Sequence, residues 1–134
     1  MQTARVLWVE GEQFLATMPS GHAITFDCDR ERNSGPGPME MLLGALGTCT
    51  AYDVAEILKK KRQKLVGLEV MVHGERAAKP PAVWAKIEMV YRLKGDLNEK
   101  AVRDAIELSQ SKYCSVAAML GQVASITYRY EIAG

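Results

Sequence analysis

Between Met39 and Tyr52 the chain reads MEMLLGALGTCTAY, and Glu40 is the only charged residue in that stretch. A helix that is apolar on nearly every face has to be buried, so this segment is predicted to be the central element of the fold. Pro38 stands at its start, where a missing N–H costs nothing. Gly44 and Gly47 each lower helix propensity by ~1 kcal/mol. Their presence leads us to expect a neighbouring backbone close to both. Past Tyr52 the sequence DVAEILKKKRQK becomes amphipathic and then basic. Its last turn, with Lys59, Lys60, Lys61 and Arg62, complements the negative end of the helix dipole.

The flanks of this helix read as strands and shorter helices. Val6, Trp8 and the run from Phe14 to Met18 precede the turn signal Pro19-Ser20-Gly21, and Ala23 to Phe26 supplies another β-type segment. The polar stretch CDRERNSGPGP, from Cys28 to Pro38, is a loop. After the helix, Leu68, Val70 and Val72 alternate with polar neighbours, as do Val83, Ala85, Ile87, Met89, Tyr91 and Leu93. Ala78-Lys79-Pro80-Pro81 separates the two runs, so an antiparallel hairpin is the simplest pairing. A second helix starts near Asp96 or Asn98. Asp96 and Glu99 have capping-box spacing, and Leu97 with Val102 makes a hydrophobic staple if Asn98 caps. That helix turns Val102, Ala105, Ile106 and Ser109 inward and ends near Ser111. The short apolar segment CSVAAML stops at Gly121, and VASITYRYEIA closes the chain as a strand. Strands, buried helix, hairpin, helices and strand in this order predict an α+β fold, and 134 residues fit one domain, 1–134.

Charge and cysteine usage narrow the function classes. Lys+Arg 17 against Asp+Glu 16 gives no strong field for nucleic acid or an acidic membrane. No stretch reaches the ~20 uninterrupted apolar residues of a membrane span. The N-terminus has neither a basic start nor an apolar signal core, which predicts a cytoplasmic protein. Cys28, Cys49 and Cys114 show no CxxC spacing, and His22 and His73 alone make a structural zinc site improbable. No phosphate loop is present, since GPGP lacks the Lys-Ser/Thr it would need.

What remains is thiol chemistry. Cys49 sits in the apolar helix among Gly47, Thr48, Thr50 and Ala51. Considered alone, it reads as a small buried hydrophobe. Cys114 stands between two helices, and a thiol at the start of a helix has its thiolate stabilised by the dipole. Cys28 lies between Asp27 and Asp29, which disfavour a thiolate there. Glu40 complements the positive helix end, or orients an arginine; Arg30 and Arg32 in the preceding loop are its candidate partners.

Two segments taken together, PMEMLLGALGTCTAYDV around Cys49 and SKYCSV around Cys114, resemble the OsmC/Ohr family, and within it the YhfA-like branch. The resemblance spans nearly the whole chain. It implies an OsmC-like fold, with antiparallel sheets around long central helices, assembled as an intertwined homodimer with active sites at the subunit interface. It implies that Cys49 is the peroxide-reacting cysteine and Cys114 the resolving one. The reaction would then be thiol-dependent reduction of an organic hydroperoxide, with an external dithiol as reductant and no metal or flavin. The family's peroxidases carry a glutamate directly after the helix-opening proline. Here Met39 holds that position and Glu40 follows, a rotation of ~100° about the helix. Arg30 and Arg32 are the candidates for the arginine that activates the cysteine. The competing reading is a non-enzymatic module of the same fold that binds a small ligand.

Overall fold

The computed structural model describes all of residues 1–134. Its contacts divide the chain into two compact units, Met1–Leu42 and Leu43–Gly134.

The first unit is an antiparallel meander of β1 (Arg5–Glu10), β2 (Gln13–Thr17) and β3 (Ala23–Asp27). Gly11 and Gly21 hold the two connections at φ of 53° and 92°, a backbone region that favours glycine. The polar loop after β3 is organised by one buried carboxylate, Asp27. Its oxygens accept from Ser34 Oγ at 2.5 Å, from the Asp29 and Ser34 backbone N–H groups at 2.9 and 3.1 Å, and from Arg32 Nε at 3.2 Å. The Ser34 hydroxyl above all, then the Asp29 N–H, holds its pKa well below the usual carboxylate range. Gly35 has no room for a side chain, because a Cβ there would lie 2.2 Å from the Thr25 carbonyl oxygen.

The apolar helix, α1 (Pro38–Lys60), begins in the last residues of the first unit and continues into the second. The second unit also contains the hairpin β4 (Lys64–Arg76) and β5 (Trp84–Asp96), the helix α2 (Glu99–Leu108), a π-helical turn (Ser109–Tyr113), the helix α3 (Ser115–Leu120) and β6 (Ser125–Ala133). β4 and β5 pair antiparallel as the alternation predicts, with Val70 opposite Tyr91 and Val72 opposite Met89. β6 lies on the other side of β5 and runs parallel to it, so the sheets are not purely antiparallel. The reason is the connection: α2, the π turn and α3 form a crossover that returns the chain to the starting end of β5, as a parallel pair requires.

Asn98, not Asp96, starts α2; its side chain accepts from the Ala101 N–H at 3.1 Å. Val102, Ala105, Ile106 and Ser109 all point inward as expected. With Leu46, Val54 and Leu58 of α1 and Ile87, Met89, Tyr91 and Leu93 of β5, the three apolar ones form one core.

Within the single chain α1 is only partly covered. α1 is buried along a single stripe, Leu46, Thr50, Val54 and Leu58, at i, i+4 spacing. Leu42, Thr48 and Tyr52 lie off that stripe and stay exposed in the single chain, Tyr52 by 67 %. By length and composition α1 would suffice to cross a membrane. Its buried stripe instead packs into the core of the second unit. The glycines differ from expectation. Nothing approaches a Cβ position at Gly44, and at Gly47 the close neighbour is the Val72 side chain, at 3.1 Å, rather than a backbone.

Candidate active site

Cys49 and Asp53 stand four residues apart on α1 and therefore on one face of the helix. Cys114 reaches the same face from the end of the π turn. The two sulfurs and a carboxylate oxygen of Asp53 lie within 4.8 Å of one another. Cys49 is half-buried and Cys114 buried. The two cysteines, 65 positions apart in sequence (114 − 49), form one site.

The π turn makes this possible. Ser111 Oγ donates to the Glu107 carbonyl at 2.7 Å, a back-bond that loosens a helix, and the Cys114 N–H reaches five residues back to the Ser109 carbonyl at 2.7 Å. The widened turn keeps Ser109 and Gln110 directed inward. It leaves Cys114 extended as the N-cap of α3, where its sulfur accepts the Ala117 N–H at 3.3 Å.

Beneath the thiols runs a buried chain of polar groups whose direction follows from donor counting. Asp53 as a carboxylate can only accept, so the Ser109 hydroxyl donates to its Oδ2 at 2.9 Å. Having spent its proton, Ser109 accepts from Thr50 Oγ1 at 2.8 Å. Thr50 in turn accepts from the Tyr91 hydroxyl at 2.6 Å, and Tyr91 accepts from Gln110 Nε2 at 2.6 Å. Four side chains thus align their dipoles toward one carboxylate beside two sulfurs, and chains of this kind polarise one another. Burial raises the Tyr91 pKa, which keeps its hydroxyl protonated as a donor.

Sequence reasoning found the two cysteines and turned Ser109 inward, but it missed Asp53, Thr50, Tyr91 and Gln110 as a group. Two signals were available: the Cys49–Asp53 spacing, and a threonine on the inward stripe of an apolar helix. The helix-start argument for Cys114 is outweighed. The Ala117 N–H does lower its pKa, but burial first, and then the Cys49 thiol and the Asp53 carboxylate, push it up to about 11. Cys114 is therefore a neutral thiol at physiological pH.

Glu40, Arg30 and Arg32 belong to the first unit. Glu40 accepts the Gly37 N–H at 3.0 Å and pairs with Arg30 at 3.6 Å, both side chains about half-exposed. Arg30 also donates to the carbonyls of Asp27 and Gly35. Arg32 is engaged elsewhere, with Asp27 at 3.2 Å and Glu10 at 3.2 Å. Of the two candidate partners for Glu40, only Arg30 contacts it. Cys28 is exposed just past β3.

The profile described as OsmC-like protein matches residues 31–129. The chain belongs to the OsmC-like family. It is 45% identical over 130 residues to protein YhfA of Escherichia coli K12, covering 96% of each chain. Among solved structures, a hypothetical protein from Aquifex aeolicus VF5 is 32% identical, with a TM-score of 0.85 over 100% of this chain and 98% of that one. An organic hydroperoxide resistance protein OsmC from Legionella pneumophila, also described as a predicted redox protein, shares the fold, with a TM-score of 0.73. It is 11% identical and covers 98% of this chain and 96% of that one. The OsmC-like assignment, the α+β fold and the long central helix are thus independently supported.

Proposed function

We propose that this protein is a cytoplasmic thiol peroxidase that reduces organic hydroperoxides through Cys49 and Cys114. The observation that carries the reading is the approach of the two sulfurs, within 4.8 Å, in a family that includes organic hydroperoxide resistance proteins. In the reaction, the Cys49 thiolate attacks the terminal peroxide oxygen, the O–O bond breaks, and the alcohol leaves with a proton. The resulting Cys49 sulfenic acid is attacked by Cys114. An S–S bond forms, and the hydroxyl departs as water with the proton of the Cys114 thiol. An external dithiol then reduces the disulfide by exchange. The division of roles has physical support. Cys114, buried and held as a thiol, is a poor first nucleophile, whereas the half-buried Cys49 is the more accessible sulfur. Steady-state consumption of a small organic hydroperoxide with excess dithiol tests the reading; no consumption above the protein-free rate would overturn it.

Met39 in place of the family glutamate, together with an apolar groove between Leu43, Gly47, Val70 and Val72, favours the second reading, a non-enzymatic module for a small ligand. The same assay separates the two readings.

Of the two candidate arginines, Arg30 is the one that pairs with Glu40, and we take it for the arginine that the family resemblance expects to tune Cys49. Arg30→Met is expected to slow alkylation of Cys49 by iodoacetamide tenfold or more at neutral pH, equivalent to about 1.4 kcal/mol. Arg32→Met and Glu40→Gln should do less. Coincident rates in wild type and Arg30→Met would remove the arginine from the mechanism.

The working unit we propose is a homodimer. Val6, Leu7, Trp8 and Val9 are exposed in a row along β1 in the single chain, and an apolar run of this kind is normally covered. Sedimentation at micromolar concentration should give twice the 14.8 kDa chain mass. A monomer there would refute the assignment.

A further inference from the structure

We propose that the reduced protein binds a zinc ion between Cys49, Asp53 and Cys114. The donor set suits that ion. Two sulfurs exclude the hard cations magnesium and calcium, which take oxygen ligands, while zinc accepts thiolate and carboxylate together. A tetrahedral zinc with bonds of ~2.3 Å to sulfur and ~2.1 Å to oxygen holds its ligand atoms roughly 3.5–3.8 Å apart. The three donor atoms already lie within 4.8 Å of one another, so closing on the ion needs shifts of roughly 1 Å.

A second, independent observation is the support behind the donors. Zinc sites are characterised by hydrogen bonds that orient the ligands from behind. Here Asp53 Oδ2 is held by Ser109 Oγ at 2.9 Å, at the end of the aligned hydroxyl chain from Tyr91 and Thr50. The Cys114 sulfur is held by the Ala117 N–H at 3.3 Å. A hydrogen-bond donor therefore backs a ligand on α1 and another at the start of α3. In the bound state a divalent ion offsets two of the three charges that two thiolates and a carboxylate would otherwise bring together. Three protein ligands leave a fourth position for water. On binding, the ion takes both sulfurs as thiolates and the protons they carried are released, with no change of oxidation state.

The site does not depend on the peroxidase reading, because reduced thiols bind the ion whether or not they react with hydroperoxide. If both hold, zinc and hydroperoxide compete for the same sulfurs. The test uses fully reduced, chelator-treated protein titrated with zinc chloride against a chromophoric chelator. Its second readout is iodoacetamide labelling of each cysteine with and without the ion. One zinc per chain is expected, with Cys49 protected and Cys28 still labelled. Asp53→Asn should weaken binding tenfold or more, and Cys28→Ser should leave it unchanged. The labelling readout needs no mutant, so a poorly folded variant would not obscure the result. Failure of the wild type to take up stoichiometric zinc, or uptake that leaves Cys49 unprotected, would overturn the proposal. Equal affinity in Asp53→Asn would overturn the three-ligand site.

Discussion

Cys49→Ser is expected to consume organic hydroperoxide at least a thousandfold more slowly than the wild type under the same dithiol. A serine hydroxyl is not ionised near neutral pH and cannot take the peroxide oxygen, so the first bond-making step is lost rather than slowed. A thousandfold loss corresponds to about 4 kcal/mol of transition-state stabilisation. Cys114→Ser should behave differently. The first oxidation of Cys49 should proceed at close to the wild-type rate, and its sulfenic acid should then persist and pass on to the sulfinic state. Rapid mixing followed by trapping of the sulfenic acid distinguishes the two variants. A Cys49→Ser protein that retains wild-type consumption would assign the chemistry to another group.

Thr50→Val is expected to be the most damaging single change in the hydrogen-bonded chain beneath the thiols. Valine matches threonine in shape but has no hydroxyl. Tyr91 then loses its acceptor and Ser109 loses its donor, both in a buried environment. Each group left unpaired costs about 1–3 kcal/mol, so a loss of about 2–4 kcal/mol is expected. It should appear as a lower urea midpoint at unchanged slope. Thr50→Ser keeps the hydroxyl and should cost about 1 kcal/mol, for the missing methyl. If Thr50→Val unfolds within about 0.5 kcal/mol of wild type, the chain contributes little and the dipole alignment toward Asp53 loses its significance.

Several elements are legible in the sequence. Period-2 alternation placed the β4–β5 hairpin, and Asn98 with its Leu97–Val102 staple placed the start of α2 within the stated alternatives. The inward face of α2 followed from helical spacing, down to Ser109. Other features had no local signal. The parallel placement of β6 is set by a crossover of some thirty residues, which no window of alternating residues reveals. The apolar run of α1 signals burial, but composition does not say which face the chain's own core covers, here Leu46, Thr50, Val54 and Leu58. The π turn is the most consequential omission. SQSKY carries no glycine or proline to mark it, and the widening comes from one serine back-bond together with tertiary packing. Without that turn, the register that brings Gln110 and Cys114 to α1 could not be read. Of the site itself, the thiol pair was expected from the resemblance, and the Arg30–Glu40 contact from proximity in sequence. The Asp53–Ser109–Thr50–Tyr91–Gln110 chain joins three elements, α1, β5 and the π turn, and emerges only from their packing.

The most direct test of the redox-pair reading is peptide mass spectrometry of the reduced protein after brief exposure to a small organic hydroperoxide. A Cys49–Cys114 disulfide within one chain is predicted, with Cys28 recovered unmodified, because a resolving thiol within 4.8 Å intercepts the sulfenic acid before further oxidation. Recovery of Cys49 and Cys114 on separate peptides, unmodified or as sulfinic acids, would contradict the account.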